Sequence, residues 1–286
     1  MTSLLSHSDL DRPAAPQPFY LVGSAGPLFC LLQGPAHDAT PRGALLYLPP
    51  FAEEANRSRR MAVLQARRLA AKGYAVLLLD PFGTGDSAGS FDEARWQQWR
   101  DDADRAAAWL ASRWPGTGVA LWGLRLGALL AAALAAETPD RFSRLLFWQP
   151  VLRGNQFVAQ FLRLRVAAAM AAGEKETGQA LRAQLAAGEV LEVAGYELAP
   201  ELIAAIEALR LEELLASLKA CEIDWLEVTT AAEPALALAS QRLLEEIAGA
   251  REPRLSARAV AGEPFWAIQE ITLAPSLLDA TDALFS

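Results

Sequence analysis

Gly123-Leu124-Arg125-Leu126-Gly127 is the segment whose residue types and spacing say most about chemistry. A strand-like apolar run, 119–122, leads into it, and a helix-like run, 128–137, leads out. Strand, Gly-x-x-x-Gly and helix make the layout of a nucleophile elbow, a sharp turn that exposes its central side chain. A serine there would attack carbonyl carbon. Here the central residue is Arg125, whose guanidinium stays protonated and cannot attack. The pattern Gly-x-Ser-x-Gly does occur, as Gly85-Asp86-Ser87-Ala88-Gly89. Ser87 lies on a loop, seven residues beyond Asp80, and no helix begins directly after it. It is a weak candidate nucleophile, and a loop or capping serine is the simpler reading.

Serine hydrolysis also needs a base and an orienting acid. The chain has two histidines, His7 and His37, both before the first helix of the expected sheet. No imidazole is therefore well placed for any serine. Arg125 invites a different role. At the start of a helix, free N–H groups and the helix dipole already favour anions. The backbone N–H of Leu126, with one from the Phe51 region, would form an oxyanion-type cradle. A carboxylate or phosphate ligand fits such a site. Equally, Arg125 can pair internally with Glu53, Glu54 or Glu263, since a buried arginine demands a partner. Glu53 and Glu54 can act as general acid or base if burial raises a pKa; ion pairing or solvation is the plainer reading. Gly83-x-Gly85-x-x-Ala88 resembles a dinucleotide fingerprint. It is off-register from the strand end, and Pro81 intervenes, so no cofactor is expected.

The elements that must position these residues alternate between strand and helix. Runs 19–23 and 28–33 read as an antiparallel hairpin. Strands follow at 44–48, 74–80, 119–122 and 144–148. Helices are expected at 59–71, capped by Ser58 or Asn56, at 92–114 and at 126–137. This predicts an α/β fold, a mostly parallel central sheet with helices on both faces. Ligands of such sheets bind beyond the carboxyl ends of the strands. The loops 49–56, 81–90, 123–127 and 149–154 should hold the site. From 151 to 219 the strand rhythm stops, and 156–172, 177–187 and 200–219 all look helical. That insertion reads as a cap between an N-terminal core part, 1–150, and a C-terminal core part, 220–286. Strands resume at 223–228 and 255–260, with a helix at 241–248 between them. The run 156–172, with Phe157, Phe161, Arg163 and Arg165, suits a lid helix better than a membrane-surface helix.

Composition narrows the partners. The 34 acidic against 26 basic residues give a net charge of −8, which disfavours nucleic acid. The basic stretch at Arg57, Arg59, Arg60, Arg67 and Arg68 reads as a solvated helix face rather than a phosphate site. Cys30 and Cys221 form no CxxC pair, so no zinc or redox motif is expected. Buried free thiols suit a cytoplasmic location. Residues 1–18 carry no signal-peptide pattern. The longest apolar run, 126–136, is short of the ~20 residues needed for a membrane span.

Two further sets of residues carry a resemblance. Asp80-Pro81-Phe82-Gly83-Thr84-Gly85-Asp86-Ser87 is similar to the loop after the fourth strand of α/β-hydrolases, and the Arg125 segment matches their elbow. The resemblance runs from about Phe19 to Leu284. More narrowly, the run from Pro49 to Met61, the Gly-Leu-Arg-Leu-Gly elbow and Gly262-Glu263-Pro264-Phe265-Trp266 resemble the exosortase A system-associated hydrolase 2 group. That likeness implies a bacterial protein associated with the PEP-CTERM sorting and exopolysaccharide system. It also implies a histidine after the last strand, where this chain has Glu263 and Trp266. The family's acid often follows the strand at 223–228, where Glu233 is the nearest carboxylate. Two functions are therefore expected. One is a protein with a degenerate site that binds an anionic or acyl ligand, or a partner protein. The other is an ester hydrolase or acyltransferase with a non-standard nucleophile.

Overall fold

The computed structural model describes residues 14–35, 39–138, 140–218, 221–248 and 255–285. The two histidines and residues 1–13 and 249–254 lie outside them. Eight strands form one sheet. They are β1 (Gln17–Val22), β2 (Pro27–Gln33), β3 (Ala44–Leu48), β4 (Ala75–Leu79), β5 (Val119–Leu124), β6 (Arg144–Trp148), β9 (Glu222–Thr229) and β10 (Leu255–Ala261). Their order is β1-β2-β4-β3-β5-β6-β9-β10. β2 is antiparallel to both neighbours, and every other pairing is parallel.

β3 and β4 are buried at every position, as strands covered on both faces must be. Side chains alternate between two cores. Leu46 and Leu48 of β3 point to the face covered by α2 (Trp96–Arg113) and α3 (Leu126–Glu137). Leu45 and Tyr47 point to the other face, under α1 (Glu53–Ala71) and α9 (Pro275–Leu284). α3 is apolar all round and buried almost throughout, as a helix enclosed by its surroundings should be.

Between β6 and β9 the chain forms the cap. It comprises α4 (Gly154–Ala171), α5 (Gly178–Ala186), a hairpin of β7 (Leu191–Val193) and β8 (Tyr196–Leu198), α6 (Pro200–Glu207) and α7 (Leu211–Ala216). α8 (Leu238–Ala248) then precedes β10. Phe157 and Phe161 of α4 are buried, their rings 5.7 and 5.0 Å from that of Phe51. The aromatic face of α4 therefore closes on the core rather than on a membrane. Among the described residues no helix is long and apolar enough to cross a membrane.

Several element readings need correction. α1 starts at Glu53, six residues before the expected 59, and neither Ser58 nor Asn56 caps it. Ser58 is instead buried inside the helix, its hydroxyl donating to the Glu54 carbonyl at 2.7 Å. The expected helix 92–114 is a 3-10 turn (Phe91–Glu93) followed by α2. The expected helix 200–219 is the separate α6 and α7. The β7–β8 hairpin and α9 were not anticipated. The hairpin strands are three residues each, too short for a periodic pattern to register.

Candidate functional site

The carboxyl edge of the sheet carries three strained backbone positions. Ala52 beyond β3, Arg125 beyond β5 and Gln149 beyond β6 have φ of +52°, +56° and +45°. Non-glycine residues avoid this region, and such strain concentrates at functional sites. Ala52 (ψ −128°) and Arg125 (ψ −116°) share nearly one conformation. Arg125 is the residue between β5 and α3, so the elbow keeps its turn. Its glycines are needed for close approach. A Cβ on Gly123 would lie 2.4 Å from the Gly127 carbonyl oxygen, and one on Gly127 would lie 2.1 Å from that of Leu48.

Arg125 meets Glu54, with Nε 3.3 Å from Oε1. Of the three carboxylates considered for that pairing, Glu54 is the one brought to it. Glu53 lies one position along α1 and faces the cap. Its Oε2 accepts from Asn56 Nδ2 at 2.9 Å and from the Tyr196 hydroxyl at 3.3 Å. Glu263 is exposed. The Arg125 guanidinium also lies 5.8 Å from the Phe157 ring and 5.6 Å from the Trp266 ring, within cation–π range. Trp266 follows the last strand, where the hydrolase resemblance calls for histidine. Burial pushes the Glu54 carboxyl above its ordinary value, and the Arg125 charge partly offsets this. Glu54 Oε2 is buried with no partner among the described residues.

Two cavities flank the elbow. The first, about 80 Å³, is lined by Phe51, Ala52, Leu126, Phe91, Trp96 and Trp99, among others. Leu126 opens α3, so its N–H has no intrahelical acceptor. The expected cradle residues Phe51 and Leu126 thus share one wall. Arg59 and Asp80 form its polar end, with Arg59 Nη2 2.7 and 2.8 Å from the two Asp80 oxygens. Tyr196, on the β7–β8 hairpin, reaches across the mouth, its ring 5.1 Å from that of Phe91.

The second cavity, about 230 Å³, lies on the side of Arg125 facing Gln149, Arg153, Gln156, Gln160 and Glu227. Glu227 is the buried carboxylate at the end of β9. It accepts from Trp225 Nε1 at 2.9 Å, from the Ala237 N–H at 2.8 Å and from the Ser240 hydroxyl. Glu233, the carboxylate that the family resemblance points to after this strand, is exposed. Glu227 sits inside an apolar strand run, where no motif marks it.

Ser87 has both hydrogen-bonding roles occupied. Its hydroxyl donates to the Asp80 carbonyl and accepts the Phe29 N–H at 2.8 Å. It stitches the loop after β4 to β2. Gly85, in the segment weighed as a dinucleotide fingerprint, packs against the Asp80 carboxylate, which a Cβ there would approach to 2.0 Å. The next α-helix begins only at Trp96. That loop therefore has no helix N-terminus to offer a phosphate. Among the described residues no three His, Cys, Asp or Glu side chains gather as metal ligands would. Cys30 and Cys221 are buried free thiols, and burial raises each to about 12.

Known structures share this architecture. Est1E from Butyrivibrio proteoclasticus, solved with ferulic acid bound, superposes with a TM-score of 0.68 over 93% of this chain and 97% of its own, at 15% identity. An esterase from Pyrococcus furiosus gives 0.61 over 100% and 94%, at 14% identity. A Xanthomonas campestris α/β serine hydrolase described as lacking a lid gives 0.54 over 94% and 91%, at 15% identity. No curated protein sequence matches the chain significantly. The fold is therefore the α/β-hydrolase fold. The sequence profile of the family described as serine aminopeptidase, S33, matches residues 39–236, more than half the chain, and the protein belongs to that family of α/β-hydrolases.

Proposed function

We propose that this chain binds a short acyl ligand beside its elbow and does not cleave it through a serine. The observation that carries the reading is the occupation of the elbow. Arg125 holds the strained turn, Glu54 holds Arg125, and Trp266 lies on the guanidinium. Nucleophile and base are thus replaced by one packed ion pair. Because Glu54 neutralises Arg125, an acyl group suits the site better than a free anion does. The adjoining cavity supports this, with aromatic walls and the Leu126 N–H at its edge. At about 80 Å³ it is roughly half the size of a cavity that binds benzene (~150 Å³), so a short chain is favoured over a long one.

Hydrolysis or acyl transfer by a non-standard nucleophile is the second reading, favoured by the retained elbow turn and by the esterases among the structural relatives. One experiment separates the two. The protein is incubated with a fluorophosphonate probe and a panel of short and long acyl esters. Emission of Trp96 and Trp99, which line the cavity, reports binding. The binding reading expects an emission change with short-chain esters and neither labelling nor turnover. Stoichiometric labelling or ester turnover would overturn it. We further assign the protein, on the three segments quoted above, to the exosortase-associated group, with a protein of that system as partner. Normal exopolysaccharide export in a deletion strain of the source bacterium would count against that assignment.

A further inference from the structure

We propose that the cavity of about 230 Å³ on the Arg125 side is a separate binding site for a neutral, polyhydroxylated ring of monosaccharide size. Its chemistry differs from that of the aromatic cavity. The charged groups that line it are already engaged: both arginines in ion pairs, and the Glu227 carboxylate by neutral hydrogen-bond donors. Arg125 is paired with Glu54 at 3.3 Å and Arg153 with Glu212 at 3.2 Å, and three donors satisfy Glu227. Among the described residues no arginine lining it is left unpaired to select an anion, and the oxygens of Glu227 are occupied.

What remains available is amide and guanidinium hydrogen bonding. Gln156 and Gln160 stand four residues apart on α4, on one helix face, both exposed and both in the cavity wall. Gln149 Oε1 accepts the Val228 N–H at 2.8 Å, which leaves its amide NH₂ available to donate. Its backbone is the strained one at φ +45°. Among the described residues the terminal nitrogens of Arg125 likewise have no hydrogen-bond partner, its bond to Glu54 being through Nε. A sugar hydroxyl both donates and accepts, as a primary amide does. Phe157 supplies an apolar wall beside these groups. The volume exceeds the ~150 Å³ that holds benzene, so a six-membered ring with its hydroxyls is the right scale.

This site stands whether or not the aromatic cavity proves catalytic. The test is isothermal titration of the protein with D-glucose, D-galactose, D-mannose and their methyl glycosides, with hexanoate and glucuronate as contrasting probes. Gln156→Leu and Gln160→Leu alter exposed positions on a helix, where leucine is a good helix former, so folding is retained. At least one neutral hexose is expected to bind, and each variant to weaken it about fivefold, the loss of roughly one hydrogen bond. Emission changes caused by short esters at Trp96 and Trp99 should be unaffected by either variant. The proposal is overturned if no hexose binds at about 20 mM, where millimolar affinity would register. It is also overturned if hexose binding survives both substitutions, or if glucuronate binds and every neutral sugar fails.

Discussion

Replacing Arg125 by glycine and, separately, by alanine divides the energy of the elbow into two parts. Both variants remove the guanidinium. Breaking a fully buried ion pair by deleting one partner costs about 3–5 kcal/mol. Here the side chains keep 16% and 18% of their exposure, so solvent reduces the penalty and about 2–3 kcal/mol is expected. The variants differ in backbone. At φ +56° and ψ −116° an L-residue carries about 1–3 kcal/mol of strain, which glycine relieves. Glycine's greater unfolded-state entropy returns about 0.5–1 kcal/mol. Arg125→Gly should therefore be more stable than Arg125→Ala by about 0.5–2 kcal/mol, net of the two effects. This reverses the usual order of alanine over glycine. Urea unfolding followed by circular dichroism measures both. Equal stabilities, or alanine the more stable, would refute the claim that the serine-type turn is retained under strain.

Three other outcomes follow from named contacts. Ser87→Ala leaves the Phe29 N–H without its acceptor, which should cost about 1–3 kcal/mol and lower Tm by about 2–4 °C per kcal/mol; emission changes with short esters should not differ from wild type. Burial raises the carboxyls of Glu54, Asp102 and Asp224, so the folded state binds these protons more readily than the unfolded chain does. Their stability contribution is full below the ordinary values of 4.5 and 3.8 and is lost as pH rises through the raised ones. Unfolding free energy of wild type relative to Glu54→Gln, measured from pH 4 to pH 8, should accordingly fall as pH rises; a rise would contradict it. Arg125→Ser alone should give no fluorophosphonate labelling, because a serine without its histidine forfeits about a million-fold in kcat, and no histidine lies among the described residues.

Much of the sheet was legible because its strands announce themselves. Runs such as 75–79 and 145–148 are apolar throughout, and each was bracketed by turn residues. The elbow was legible for the same reason, with its paired glycines between a strand and a helix. The start of α1 was not. Ala52 at φ +52° ends the loop abruptly, and no side chain caps the helix, so the usual N-cap signal pointed too far along, to Ser58. The partner choice of Arg125 was legible only as three alternatives. Glu53 and Glu54 are neighbours in sequence, and a helix turns them about 100° apart. Only the orientation of α1 decides that Glu54 faces the elbow and Glu53 the cap. Trp266 and Glu227 carry no spacing signature, because their neighbourhood is created by β9, β10 and the cap meeting at one edge.

That meeting couples the side chains at the elbow to one another. Arg125 needs Glu54, since a guanidinium held between Phe157 and Trp266 with its side chain only 16% exposed would otherwise be a poorly compensated charge. Glu54 needs Arg125 for the same reason, and more so because its second oxygen is already without a partner. Trp266 needs the guanidinium less for its energy than for its shape: a serine in that place would leave two aromatic rings facing a void, and lost contacts of this kind cost stability. A serine, an imidazole and a loop acid cannot enter this arrangement one at a time. Each single reversal leaves an orphaned charge or a cavity before it gains any chemistry. The elbow thus keeps the backbone of a hydrolase while its side chains form a partition, with an aromatic chamber on the Leu126 side and a polar one on the Gln149 side.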